Sequence, residues 1–233
     1  MDKRDERNTA SHQRARRPAF RERRERPQKK EAPLSAREVA RRALTDVARS
    51  GSYVSAALDR HLNTAHLSAD DKRLAASLFF TAVENRLLLE ARLAQFWTER
   101  PEPVVEDILH IAAAQILLMD RIPDHAAVDE AVKQTRASGR DGLSALVNGI
   151  LRNLIRARDA GELPEIDDPA VRYSVAPELA KRLIAAYGEE EAVAIMADRP
   201  RPSQTIRFNA MKTSAENFEK YLKAHDVIFE RGV

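Results

Sequence analysis

The stretch DRIPDHAAVDEAV, residues 120–132, gathers Asp120, Asp124, His125, Asp129 and Glu130 around Pro123. A histidine flanked by carboxylates is the raw material of general acid–base catalysis. That chemistry needs burial or a cleft to move the pKa values toward working pH. Nothing around these residues in the sequence supplies either. Proline does not continue a helix, and Asp124 stands where an N-cap side chain accepts the first free amides. His125 and Asp129 are then spaced i, i+4, as in a surface pair worth about 0.3–0.5 kcal/mol. The pattern reads as a helix start rather than an active site.

Other chemistry is equally sparse. There are 0 cysteines, which excludes disulfides, thiolate metal sites and a cysteine nucleophile and fits a reducing cytoplasm. His61, His66, His110 and His125 are scattered without metal-ligand spacing. The 7 glycines form neither a phosphate loop nor a dinucleotide fingerprint, so no catalytic, metal or cofactor residues are assigned. GRDG, residues 139–142, imitates the nucleic-acid-clamping loop of KH domains, but without the flanking strands it reads as an interhelical turn.

The elements that carry these residues have a helical period. LSAREVARRALTDVARSG opens on Ser35 with Glu38 three residues on, a capping box, and continues through Val39, Ala43, Leu44 and Val47 to a stop at Gly51. A second helix is expected over 54–63. A long third one runs from Ser68 through Leu74, Leu78, Phe79, Val83 and Leu87 toward Trp97. After Pro101 and Pro103 comes VVEDILHIAAAQILLMD, with Val104, Ile108, Ile111, Ala112, Gln115, Ile116 and Met119 in helical register. The next helix carries Val128, Ala131, Val132 and Thr135. The last, LSALVNGILRNLIRARD, puts Leu143, Leu146, Val147, Ile150 and Leu154 on one side. Five to seven helices with short connections predict an all-α bundle over 34–160.

Charge is unevenly spread along the chain. Residues 1–33 hold 12 basic and 6 acidic residues, and the remainder 27 basic and 30 acidic. RARRPAFRERRERPQKK has too little apolar surface to offset its ordering entropy, so 1–33 is expected to be a disordered basic arm that attracts polyanions, nucleic acid foremost. A solubilising tail is the alternative. No apolar run approaches the ~20 residues of a membrane span, and the N-terminus has no signal-peptide core.

REVARRAL, ILHIAAAQILLMDRIPDHAAVDEAV and LVNGILRNL, in that order, resemble the NusB family over about residues 35–158. The family's antitermination factor binds RNA with a ribosomal protein partner. The same fold forms the N-terminal domain of the RsmB-type ribosomal RNA (cytosine-C5)-methyltransferases. The IPDHAAVDEAV wording resembles that branch, and so does the chain beyond residue 160. Tyr173, Ser174 and Pro177 match its "YS.P" helix. Tyr187, Gly188, Glu190 and Ala192 match "YG.E.A", and Arg201, Pro202, Arg207, Asn209 and Lys212 match "RPP…RVN..K". Residues 161–233 then correspond to linker helices and the start of a small α+β domain, with strands expected at SQTIRFN and VIFERG around a helix capped by Ser214. The chain departs from the family at Glu178 and Leu179, where a tryptophan is usual, and at Thr81 and Glu84, where many relatives have glycine and arginine.

The resemblance implies a cytoplasmic, RNA-binding, substrate-positioning region of a small-subunit ribosomal RNA methyltransferase. The S-adenosylmethionine domain and its two cysteines fall outside this chain, which alone is expected to be inactive. Arg37 matches an arginine of the family's RNA-touching segment, and Arg41 lies one turn further on. Lys72 and Arg73 begin the third helix. Arg152 and Arg156 share a face with Asn148, itself read as structural, and Arg207 and Asn209 resemble an RNA-facing strand. Each cation is equally readable as a solvated surface charge. Two competing functions stand beside this one: an antitermination factor binding RNA and a ribosomal protein, and a protein-interaction bundle.

Overall fold

A computed structural model describes residues 34–198 and 205–231. The basic arm, Arg201 and Pro202 lie outside the described residues. Seven helices among the described residues form the bundle: α1 (Ala36–Ser50), α2 (Val54–Thr64), α3 (Ala69–Glu84), α4 (Arg86–Leu93), α5 (Pro103–Leu118), α6 (Asp124–Ala137) and α7 (Ser144–Ala160). Short 3-10 turns follow α4 and precede α7.

Local chemistry sets most boundaries. Ser35 caps α1 through a 3.2 Å bond from the Glu38 amide, and Gly51 ends it at φ 59°. The Glu38 carboxylate accepts from Arg41 and Arg42, turning the expected capping box into an ion cluster. The expected single helix from Ser68 toward Trp97 breaks at Asn85. There the side-chain amide donates to the Thr81 carbonyl at 2.9 Å, competing with the backbone ladder. α4 has no cap of its own at Asn85; the Leu88 amide instead donates to Ser174 Oγ, 86 residues away.

α5 is the axis of the bundle, packed by α1, α3, α4, α6 and α7. Twelve of its residues are buried, Val105 through Ile116 without interruption, as expected of a central helix whose apolar residues fall on all its faces. Phe79, Leu44, Leu78, Leu89, Ile150 and Leu154 fill the space around it, against its own Ile108 and Leu109, each worth about 1.5–3 kcal/mol of burial. On α7 the buried stripe is Val147, Ile150, Leu151 and Leu154, so Leu146 faces out although the sequence pattern places it inside.

Beyond Gly161, α8 (Pro169–Arg172), α9 (Pro177–Tyr187) and α10 (Glu189–Ala197) share a small cluster of Ala170, Ala180, Ala192 and Met196, and α8 touches α4. Ser214 caps α11 (Ala215–Ala224), as expected. The two expected strands do not form among the described residues. Residues 205–209 and 227–231 stay outside regular structure, because no neighbouring strand takes up their backbone groups.

Candidate nucleic-acid interface

The cations singled out from the sequence fall into three groups. Arg41 is withdrawn from the surface. It is 8% exposed, and its guanidinium is held by Glu38 at 2.9 and 2.7 Å beside Thr45. Its spacing sets it one turn beyond Arg37, but its guanidinium is taken up within α1 by Glu38 and Thr45. Arg41 is therefore committed to the packing of α1 rather than exposed as the sequence pattern suggests. Burial raises the Glu38 carboxyl, but Arg41 and Arg42 outweigh it and hold the group below the usual carboxylate range.

Arg37 is half-buried, with Nε donating to Gln115 Oε1 at 2.7 Å, so part of its fork is committed to joining α1 to α5. Asn209 is committed as well. Its Oδ1 accepts from the Met211 amide at 2.9 Å and its carbonyl from Lys212 and Thr213, which makes it the first residue of a turn.

Lys72, Arg73, Arg152, Arg156 and Arg207 are exposed. Lys72 has no ionic partner among the described residues, whereas Arg73 pairs with Asp70 in the same turn of α3. Arg152 Nε donates to Asn148 Oδ1 at 2.9 Å along the expected face of α7, and Arg156 leans on Asn153. These contacts are to exposed or neutral partners and leave guanidinium donors at the surface. Such groups can meet phosphate oxygens. The GRDG segment is a turn in which Arg140 donates to Glu102 at 2.7 and 3.2 Å.

The acidic cluster of 120–132 resolves into separate parts. Pro123, not Asp124, occupies the N-cap of α6, with no side-chain cap. Asp124 instead receives Arg158 from α7 through bonds of 2.9 and 2.6 Å, and Arg158 also donates to the Ile116 carbonyl at the end of α5. The Arg158 guanidinium holds the Asp124 carboxyl below its ordinary range. His125 and Asp129 are exposed and not joined by an ion pair among the described residues, while Glu130 takes Lys133 at 2.8 Å. A shallow cavity borders Asp124 and Arg158. A carboxylate fixed as an anion by arginine is a tie, not a general base.

Sequence reasoning missed a polar seam along α5. Asp107, 4% exposed, accepts from Thr45 at 2.6 Å; Glu106 receives Arg100 at 2.9 and 2.6 Å; His110, 1% exposed, gives its Nδ1 proton to the Glu106 carbonyl at 2.9 Å. Burial pushes the Asp107 carboxyl up and the His110 imidazole down. At Glu106 burial also raises the carboxyl, but the Arg100 hydrogen bond and charge leave it lowered overall.

Residues 34–156 match the NusB family model. The chain is 29% identical over 205 residues to a probable ribosomal RNA small subunit methyltransferase B of Bacillus subtilis (strain 168), covering 85% of this chain and 46% of that protein. It is 31% identical over 190 residues to a probable ribosomal RNA small subunit methyltransferase B of Synechocystis, covering 78% and 42%. Against the ribosomal RNA small subunit methyltransferase B of Shewanella oneidensis it is 30% identical over 199 residues, covering 83% and 44%. The chain thus spans less than half the length of these relatives.

Proposed function

The chain belongs to the NusB family, and on that footing we propose that it binds ribosomal RNA and positions it for cytosine-C5 methyl transfer. In this reading it is the N-terminal region of a small-subunit ribosomal RNA methyltransferase. Exposed Lys72, Arg73, Arg152, Arg156 and Arg207 donate to phosphate oxygens. Such contacts supply affinity and orientation rather than base choice. In this reading S-adenosylmethionine and the reacting cysteines belong to the part of the relatives that the matched region does not span.

The observation that carries this reading is the reach of the similarity. It covers 205 residues against Bacillus subtilis methyltransferase B, well past the 34–156 of the bundle. An antitermination role binding RNA with a ribosomal protein draws support from the bundle alone. To test the proposal, the purified chain is titrated with labelled small-subunit ribosomal RNA fragments against unlabelled competitor RNA of unrelated sequence. Saturable binding to one or more ribosomal fragments is expected. Binding only in the presence of a ribosomal protein would favour the antitermination reading instead.

A further inference from the structure

α4 and α5 bring Glu90, Glu106 and His110 together, with a carboxylate oxygen from each acid and a ring nitrogen of the histidine all within 4.8 Å of one another. Glu106 and His110 are one helical turn apart, so both project from the same face of α5 toward α4. This is more than a pair of acids. His110 is buried to 1% exposure, and its Nε2 has no hydrogen-bond partner among the described residues. Because Nδ1 donates to the Glu106 carbonyl, the neutral ring keeps its lone pair on Nε2. A backbone carbonyl fixing the far nitrogen in this way is the usual support of a metal-bound imidazole.

A cation already marks the position. Arg100, in the loop before α5, reaches Glu90 at 2.9 Å and Glu106 at 2.6 Å, while its own side chain is 57% exposed. Its guanidinium bridges the two carboxylates but gives no hydrogen bond to Nε2. A dication can use all three ligands at once. We propose that Glu90, Glu106 and His110 form a binding site for a divalent first-row transition ion of the zinc class, with Arg100 as the resident cation that the ion displaces into solvent. One imidazole and two carboxylates suit such an ion and leave a coordination position for water. Occupation would pin α4 to α5.

The test titrates zinc(II) alone into the full chain by calorimetry and reads cobalt(II) in parallel by visible absorption, with no cysteine to confuse the spectrum. One-to-one binding is expected. Glu90→Gln, at a half-buried position, should weaken it by roughly tenfold or more, a loss at least as large as outer-sphere ligand partners cause. Arg100→Gln should strengthen it, since the competing cation is gone. Circular dichroism confirms that each variant is folded, and Arg100→Gln carries the decision should Glu90→Gln not fold. The proposal is overturned if neither wild type nor Arg100→Gln binds zinc saturably, which would leave the acids to their arginine partners. It is equally overturned if zinc binds but neither substitution changes the affinity, the mark of an adventitious ion only.

Discussion

Asp124 and Arg158, 34 residues apart in the chain, are joined by two parallel hydrogen bonds of 2.9 and 2.6 Å. The pair fastens the start of α6 to the last turn of α7, and the third bond from Arg158, to the Ile116 carbonyl, adds the end of α5. Asp124→Asn should therefore lower stability by about 1 kcal/mol, the upper end for a partly exposed pair. A urea midpoint shift reads it, and a double-mutant cycle with Arg158→Gln isolates the coupling.

The same pair sets a pH dependence. Arg158 depresses the folded pKa of Asp124, so its contribution is fully present above the unfolded value of about 3.9. It is lost as pH falls through the depressed folded pKa. Wild type and Asp124→Asn should differ in stability at neutral pH and converge in strong acid. A difference that grows on acidification would contradict the assignment.

His125 lies exposed beside this tie without forming part of it. His125→Gln should leave RNA affinity within about twofold of wild type, as expected of an exposed side chain outside any tie between helices. Loss of binding in a folded His125 variant would reinstate 120–132 as a functional surface.

Ser174 supplies the missing cap of α4 from across the chain, holding the Leu88 amide at 3.0 Å with its own backbone at φ 51°. Ser174→Ala should cost about 1 kcal/mol, the usual loss for a cap. Hydrogen exchange should quicken first at the Leu88 amide. This gives the Tyr-Ser of the 173–177 motif a physical meaning, since its hydroxyl docks the linker onto the bundle.

The bundle was legible in the sequence because amphipathic periods, Ser35, Ser68 and Gly51 announce helices and their ends through local rules. The polar seam of α5 was not, although a signal existed. VVEDILHIAAAQILL is mostly apolar and its apolar residues fall on all faces of the helix, so such a helix is buried nearly all round. Its Glu106, Asp107 and Gln115 then need partners, and these come from Arg100, Thr45 and Arg37, up to 78 residues away, while His110 bonds back to the Glu106 carbonyl. Such pairings depend on tertiary approach and leave no periodic trace. For the same reason Arg41 reads as a surface cation in the sequence and proves to be buried, and Asp124 reads as a cap and proves to be half of an ion pair.

Arg41 and Lys72 should therefore behave differently when changed to alanine. Arg41→Ala is expected to destabilise the fold, because Glu38 loses the more buried of its two arginine partners inside the packing of α1. Lys72→Ala and Arg152→Ala should leave stability unchanged, weaken RNA binding similarly for all sequences, and each reduce the salt slope by about 1. Denaturant midpoints and fluorescence anisotropy separate the two behaviours.

The central claim is that this chain grips ribosomal RNA through phosphate contacts, and its most direct test is the affinity for a small-subunit ribosomal RNA fragment as salt is raised. Neutralising several phosphates releases their counterions, so log affinity should fall steeply and linearly with log salt concentration. The fall should become shallower in the Lys72→Ala, Arg152→Ala double variant. A flat salt response, or no binding at low salt, would contradict the claim and leave a protein-interaction bundle in its place.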